Sequence, residues 1–258
     1  MLILSIKCQT RHFLNYFRLL RYTKKDIPTT KFVIVGQGRT GSQLMVSLLN
    51  NHPDIYCDSE IFHPDYFGKV IFPKAYINSR ALLATDQNKK VYGFKVKHYQ
   101  LRDDQGISPQ YLFNYLNENG WKFIYLDRTN LLRHSLSNFK ANESGEYHIN
   151  KRKGYKKLRI DPNELISYMI GKEQFKKEEL SSLAGIKYLN INYEKDLASF
   201  ESQQKIMDKV FNYLGLDSVK VISNYKKTSL SKLEDMIENY DEIKNVLLRT
   251  KYSNFLDD

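Results

Sequence analysis

The chain has 258 residues, 41% of them hydrophobic and 27% charged, and a net charge of +11. That length holds one large domain with a sizeable core; the two cysteines, Cys8 and Cys57, have no metal-ligand spacing and exclude a disulfide framework. A generally nucleic-acid-coating surface is also excluded, because residues 1–31 (seven basic residues against Asp26 alone) and residues 151–159 (six against none) hold +6 each, leaving −1 elsewhere.

The N-terminal segment places Phe13, Phe17 and Leu20 on one helical stripe with arginines alongside. The pattern predicts a basic helical extension over residues 1–30, compatible with packing on the domain at 31–258 or with peripheral contact at a membrane surface. Leu2–Ile6 is too short an apolar run to span a bilayer, and Lys7, Cys8 and Arg11 make a poor signal-peptide core, so the expected location is the cytoplasm.

Residues 32–43 then read Phe-Val-Ile-Val-Gly-Gln-Gly-Arg-Thr-Gly-Ser-Gln. A buried strand, a turn with Gly36, Gly38 and Gly41, and an amphipathic helix carrying Leu44, Met45, Leu48 and Leu49 aim a helix N-terminus at an anion. Gly36 and Gly41 have the spacing of a phosphate-binding loop, yet Ser42 and Gln43 stand where lysine and Ser or Thr belong. The positive charge has moved to Arg39, whose planar fork suits a phosphate or sulfonate, and Thr40 and Ser42 add hydroxyl donors.

Three further strands are expected at Val91–Lys97, Lys122–Leu126 and Lys187–Ile191, separated by helical sequence. Ser108-Pro109 opens one helix and Asp161-Pro162 another. Alternation of this kind predicts an α/β protein with a central parallel sheet flanked by helices on both faces, and its ligands lie beyond the C-terminal strand ends. Strand three ends Leu126-Asp127-Arg128, which puts Arg128 on that rim, and the following helix carries Arg133 and Ser137 one turn apart, with Ser135 as the alternative hydroxyl. Asp127 can also be read as a Walker-B acid holding Mg²⁺ in a phosphate-loop kinase or nucleotide hydrolase, against which the missing loop lysine weighs. A third reading is a non-enzymatic basic module that binds nucleic acid or acidic membrane through residues 1–31 and 151–159.

With both anion sites in hand, the chain resembles the sulfotransferase family, specifically the bacterial carbohydrate sulfotransferases related to those acting on Nod factors and glycolipids. Gly93-Phe94-Lys95, Asn192-Tyr193-Glu194 and Ile237–Glu242 also look familial. The resemblance implies a P-loop-containing nucleotide-binding fold and the donor 3′-phosphoadenosine-5′-phosphosulfate, with a carbohydrate or glycolipid acceptor, no metal and no nucleic acid. It assigns the 5′-phosphosulfate to Gly38, Arg39, Thr40, Gly41, Ser42 and Gln43, the 3′-phosphate to Arg128 and Ser137, and a returning late loop to Lys226, Lys227 and Thr228. Arg39 and Arg128 are thereby expected at opposite ends of one nucleotide. One departure is Gln37-Gly38 before Arg39, where relatives often have proline.

For chemistry, the resemblance implies in-line attack by an acceptor hydroxyl on the sulfonate sulfur. Glu60 is the base by position, His98 is its rival and His63 a third candidate; Lys95 either neutralises leaving-group charge or is a solvated edge residue. The long stretch Asn51–Lys90, with Phe62, Tyr66, Phe67, Phe72 and Tyr76, forms either an acceptor wall or a core beneath a loop.

Overall fold

A computed structural model describes residues 16–144, 157–223 and 232–256. Five strands form its sheet: β1 (Thr30–Gly36), β2 (Ile55–Glu60), β3 (Val91–Val96), β4 (Lys122–Asp127) and β5 (Tyr188–Asn192). They lie in the order β2-β3-β1-β4-β5 and every pair is parallel. Side chains alternate across a strand, so β1 feeds two cores. Val33 and Val35 face one with helices α2 (Pro73–Asp86) and α3 (Pro109–Glu118); Phe32 and Ile34 face the other with α1 (Ser42–Leu49) and α6 (Phe200–Leu214).

The longest helix, α5 (Pro162–Ser182), is opened by Asp161, whose carboxylate accepts from the Asn163 and Glu164 N–H groups. With α4 (Leu131–Ser144) and α7 (Tyr240–Leu247) it builds a third apolar cluster beside the sheet, around Leu132, Leu136, Leu165, Met169, Ile237 and Ile243. The connection that leaves β1 runs toward β2, and the one that leaves its neighbour β4 runs the opposite way, toward β5. The strand order therefore reverses at β1, and the loop after Gly36 opens into the crevice this creates.

The apolar runs mark β1, β3, β4 and β5 to within a residue or two. Strand β2 is an addition: it lies inside Asn51–Lys90, and a register shift between Cys57 and Glu60 bulges it before Glu60 pairs with Lys95. Phe62 and Tyr76 are fully buried beneath α2, so these two belong to the core and not to an acceptor wall; Phe72 is exposed. The side chains of Tyr66 and Phe67 lie outside the described residues.

Residues 16–21 are helical, and residues 16–22 dock on α2. Tyr16 packs against Phe72 and Tyr76, Arg18 pairs with Asp86 at 3.0 Å, and Tyr22 donates to the same carboxylate at 2.6 Å. Of the apolar stripe, Leu20 is exposed and Phe17 partly so, and Phe13 lies outside the described residues. Among the described residues no helix is long and apolar enough to cross a membrane.

Candidate active site

The turn between β1 and α1 is built from backbone first. Arg39 (φ 68°) and Gly41 (φ 80°) both take left-handed conformations, and Gly41 is the N-cap of α1. Two left-handed residues flanking Thr40 bend the chain into a concave run of N–H groups at a helix N-terminus, an arrangement that favours an anion. A side chain at Gly41 is blocked twice, by its φ and by the Tyr193 ring, which a Cβ would meet at 2.7 Å. Arg39 holds the same conformation without glycine's freedom, so the neighbouring structure must over-determine it.

Several groups do so. Thr40 Oγ1 donates to the Gln37 carbonyl at 2.8 Å, and Gln37 Nε2 donates to the Lys172 carbonyl on α5 at 3.0 Å. His134 Nε2 lies 2.7 Å from the Gly38 carbonyl, a partner that fixes this nitrogen as the N–H tautomer. Burial first, then nearby cations, hold His134 well below the usual imidazole range, so it stays neutral. Nothing in the sequence marks His134, because its role is to grip a main-chain atom 96 positions away.

Arg128 follows β4 and is buried. Its Nη1 donates to the Arg39 carbonyl at 3.0 Å, its Nε to Glu194 at 3.2 Å, and its guanidinium stacks 4.5 Å above the Tyr193 ring. Glu194 also accepts from the Thr129 N–H and hydroxyl. Asn192-Tyr193-Glu194 thus forms the cradle that orients Arg128. Arg39 Nε donates to Ser137 Oγ at 3.0 Å on α4. Arg39 and Arg128, expected at opposite ends of a nucleotide, are therefore adjacent. The left-handed Arg39 backbone carries the side chain toward α4 and its carbonyl onto Arg128.

The other flank of the loop belongs to β2 and β3. Lys95 Nζ reaches Ser42 Oγ at 3.1 Å, Gln43 Oε1 at 3.4 Å and Glu60 Oε1 at 2.9 Å, while Lys97 Nζ reaches Glu60 Oε2 at 2.9 Å. Gln100 Nε2 also donates to Glu60 at 2.6 Å. Burial alone would raise the Glu60 carboxyl; Lys95 and Lys97 outweigh it and hold the group down at about 2. Lys95, a buried strand residue and not a solvated edge lysine, is lowered by burial, with Glu60 offsetting part of the effect. Lys97, whose ammonium lies beside Gly38, is a rim cation that sequence reading missed.

His98 is placed differently. Its Nε2 lies 2.9 Å from Ser182 Oγ at the end of α5, its Nδ1 is buried without a hydrogen bond, and burial with Arg102 pulls its titration down. His63 caps the short turn Pro64–Phe67, accepting from the Asp65 N–H. Asp127, the alternative Mg²⁺ ligand, is engaged by Lys176 Nζ at 2.7 Å. Lys226, Lys227 and Thr228, like residues 151–156 of the second basic run, lie outside the described residues.

No protein-family model and no curated protein sequence matches the chain. Among solved structures it is similar to the sulfotransferase STF9 from Mycobacterium avium, with a TM-score of 0.50 over 96% of this chain and 80% of that one at 9% identity. It is also similar to the mouse sulfotransferase SULT7A1 complexed with PAP, with a TM-score of 0.46 over 89% and 88% at 11% identity. The first likeness shows the fold, a P-loop-containing nucleotide-binding α/β fold. The second, at its lower score, adds no weight.

Proposed function

We propose that the protein is a sulfotransferase that moves the sulfuryl group of 3′-phosphoadenosine-5′-phosphosulfate to a hydroxyl of a carbohydrate or glycolipid. The observation that carries this reading is the lysine-free phosphate loop flanked on both sides by cations: Arg39, bonded to Ser137, and Arg128 toward α4, Lys95 and Lys97 toward β3. Gly38–Gln43 receive the 5′-phosphosulfate through backbone N–H groups and the Thr40 and Ser42 hydroxyls. Arg128 and Ser137 receive the 3′-phosphate. Arg39, bonded to Ser137, bridges the two ends of this site. The acceptor class follows the family resemblance of these motifs.

In the reaction the acceptor oxygen bonds to sulfur, the sulfur–oxygen bond to adenosine 3′,5′-bisphosphate breaks, and the hydroxyl proton passes to Glu60. Lys95 stands between Glu60 and the loop, where it neutralises the leaving oxygen; one such interaction is worth about 3 kcal/mol in the transition state. At about 2, the Glu60 carboxyl is a weak base while Lys95 and Lys97 are bonded to it. The donor's negative charge competes for Lys95 and Lys97, which loosens their hold on Glu60 and raises its basicity when the donor is bound. His98 is the second candidate base, and its contact with Ser182 gives it less access to the loop. The test is release of adenosine 3′,5′-bisphosphate from the donor against a panel of sugar and glycolipid acceptors. Acceptor-dependent release supports the proposal; donor that binds and is never consumed with any acceptor counts against enzymatic transfer.

A further inference from the structure

Beneath the loop, on its α5 side, lies a small cavity bordered by Gln37, Thr40, Arg128, His134, Lys172 and Glu179. Three buried groups in it have unmet capacity. Gln37 Oε1 has no hydrogen-bond partner, and neither has Glu179 Oε1, although the other Glu179 oxygen accepts from the Tyr125 hydroxyl at 3.0 Å. Lys172 is the third: 9% exposed, its ammonium lies 5.4 Å from the Tyr168 ring and makes no ion pair among the described residues. Lys172 and Glu179 are seven positions apart on α5, so they share its loop-facing side.

A cation held in a nearly dry place without a bonded counter-charge is costly. If the position served packing alone, an apolar side chain of the same length would be preferred. Gln37 fixes the height of Lys172 by gripping its carbonyl, and in the same act ties α5 to the first residue after Gly36. The ammonium also feels both Lys97 and Arg128, the cations on the two flanks of the loop. The loop N–H groups, on which a phosphate oxyanion would sit, lie between those two.

We propose that Lys172 is a further cation of the anion site, contributed by α5 to a phosphate group of the bound nucleotide, with Gln37 and Glu179 as the residues that position it. The proposal rests on the donor reading above. Burial pulls Lys172 down to about 8, with Glu179 working in the other direction. The charge of Lys172 is therefore present at neutral pH and lost as the pH rises through that value. The other groups facing it are Tyr125, Asp127 and Arg128 at the end of β4, His134 on α4, Lys97 after β3, and Tyr168, Lys176 and Glu179 on α5. Of these, Glu179 is raised by burial to about 7, so its deprotonation falls at the lower edge of the same range.

The experiment is calorimetric titration of adenosine 3′,5′-bisphosphate into the full chain, Lys172→Met, Lys172→Arg and the exposed-lysine control Lys205→Met, at several values between pH 7 and 9.5. Loss of one charge-assisted hydrogen bond predicts about tenfold weaker binding or more for Lys172→Met at pH 7, recovery in Lys172→Arg, and little change in the control. Wild-type affinity falls toward pH 9.5 and that of Lys172→Met stays flat. The second phosphate ionisation, at about pH 6, is about nine-tenths complete at pH 7, and its completion would strengthen binding as pH rises, so the ligand does not supply the fall. A melting scan without ligand separates roles: Lys172→Met melts no lower than wild type if the cation is there for the anion, and lower if it is only a structural partner of Glu179. Tight wild-type binding with Lys172→Met unchanged overturns this proposal alone, whereas a wild type that does not bind the bisphosphate overturns the donor reading beneath it.

Discussion

Glu60 joins two roles that separate under mutation. As the proposed base, its replacement in Glu60→Gln lowers turnover by about 10²-fold or more and leaves bisphosphate affinity within a few-fold, measured by steady-state kinetics beside calorimetry. As the shared partner of Lys95 and Lys97, it is also a stability element. Its carboxyl is lower in the folded protein than in the unfolded chain, so its contribution is complete above the unfolded value and disappears as pH falls toward about 2. Denaturant titrations between pH 7 and 2.5 therefore show an acid loss to which Glu60 contributes on the order of 3 kcal/mol, and Glu60→Gln lacks that portion. Arg39 gives the converse test. Arg39→Gly relieves a left-handed residue of its steric cost while losing the bond to Ser137, so stability changes by no more than about 1 kcal/mol; the bisphosphate binds at least about tenfold more weakly. A large loss of stability in that variant would show that the guanidinium holds the loop together and is not reserved for ligand.

At the scale of elements, the site depends on β2 and β3 presenting Glu60 opposite Lys95. The bulge between Cys57 and Glu60 makes that pairing, and Gly93 lets the two strands lie against the core beneath it: a Cβ there would stand 2.0 Å from the Phe32 ring. Gly93→Ala must displace that ring and is expected to cost about 1–3 kcal/mol in urea denaturation. Strand β2 was not legible in the sequence, and the cause is physical. Its second half, Asp58-Ser59-Glu60, reads as a polar loop because the burial of Asp58 depends on distant partners, the Arg80 guanidinium at 2.6 Å and the Tyr92 hydroxyl at 2.9 Å. By contrast β1, β3 and β4 are buried on both faces and announce themselves as apolar runs.

For the molecule as a whole, the alternation of strands and helices carried the parallel sheet, and the glycine spacing carried the loop at its reversal point. What stayed hidden is the layer that tightens the site from outside: His134 on the Gly38 carbonyl, Glu194 on Arg128, Gln37 on α5. Those contacts join residues some 65 to 135 positions apart, and no local pattern encodes them. Lys172 was hidden for another reason, since a lysine in the charged sequence of α5 reads as a solvated helix face. The two flanks of the loop act together on one ligand, so the most direct test of the account is a titration of the wild-type protein with adenosine 3′,5′-bisphosphate in a chelating buffer, with ATP as comparison. The account predicts saturable one-to-one binding of the bisphosphate that needs no metal and is much tighter than that of ATP. No binding of the bisphosphate, or binding only of ATP with Mg²⁺, would contradict it.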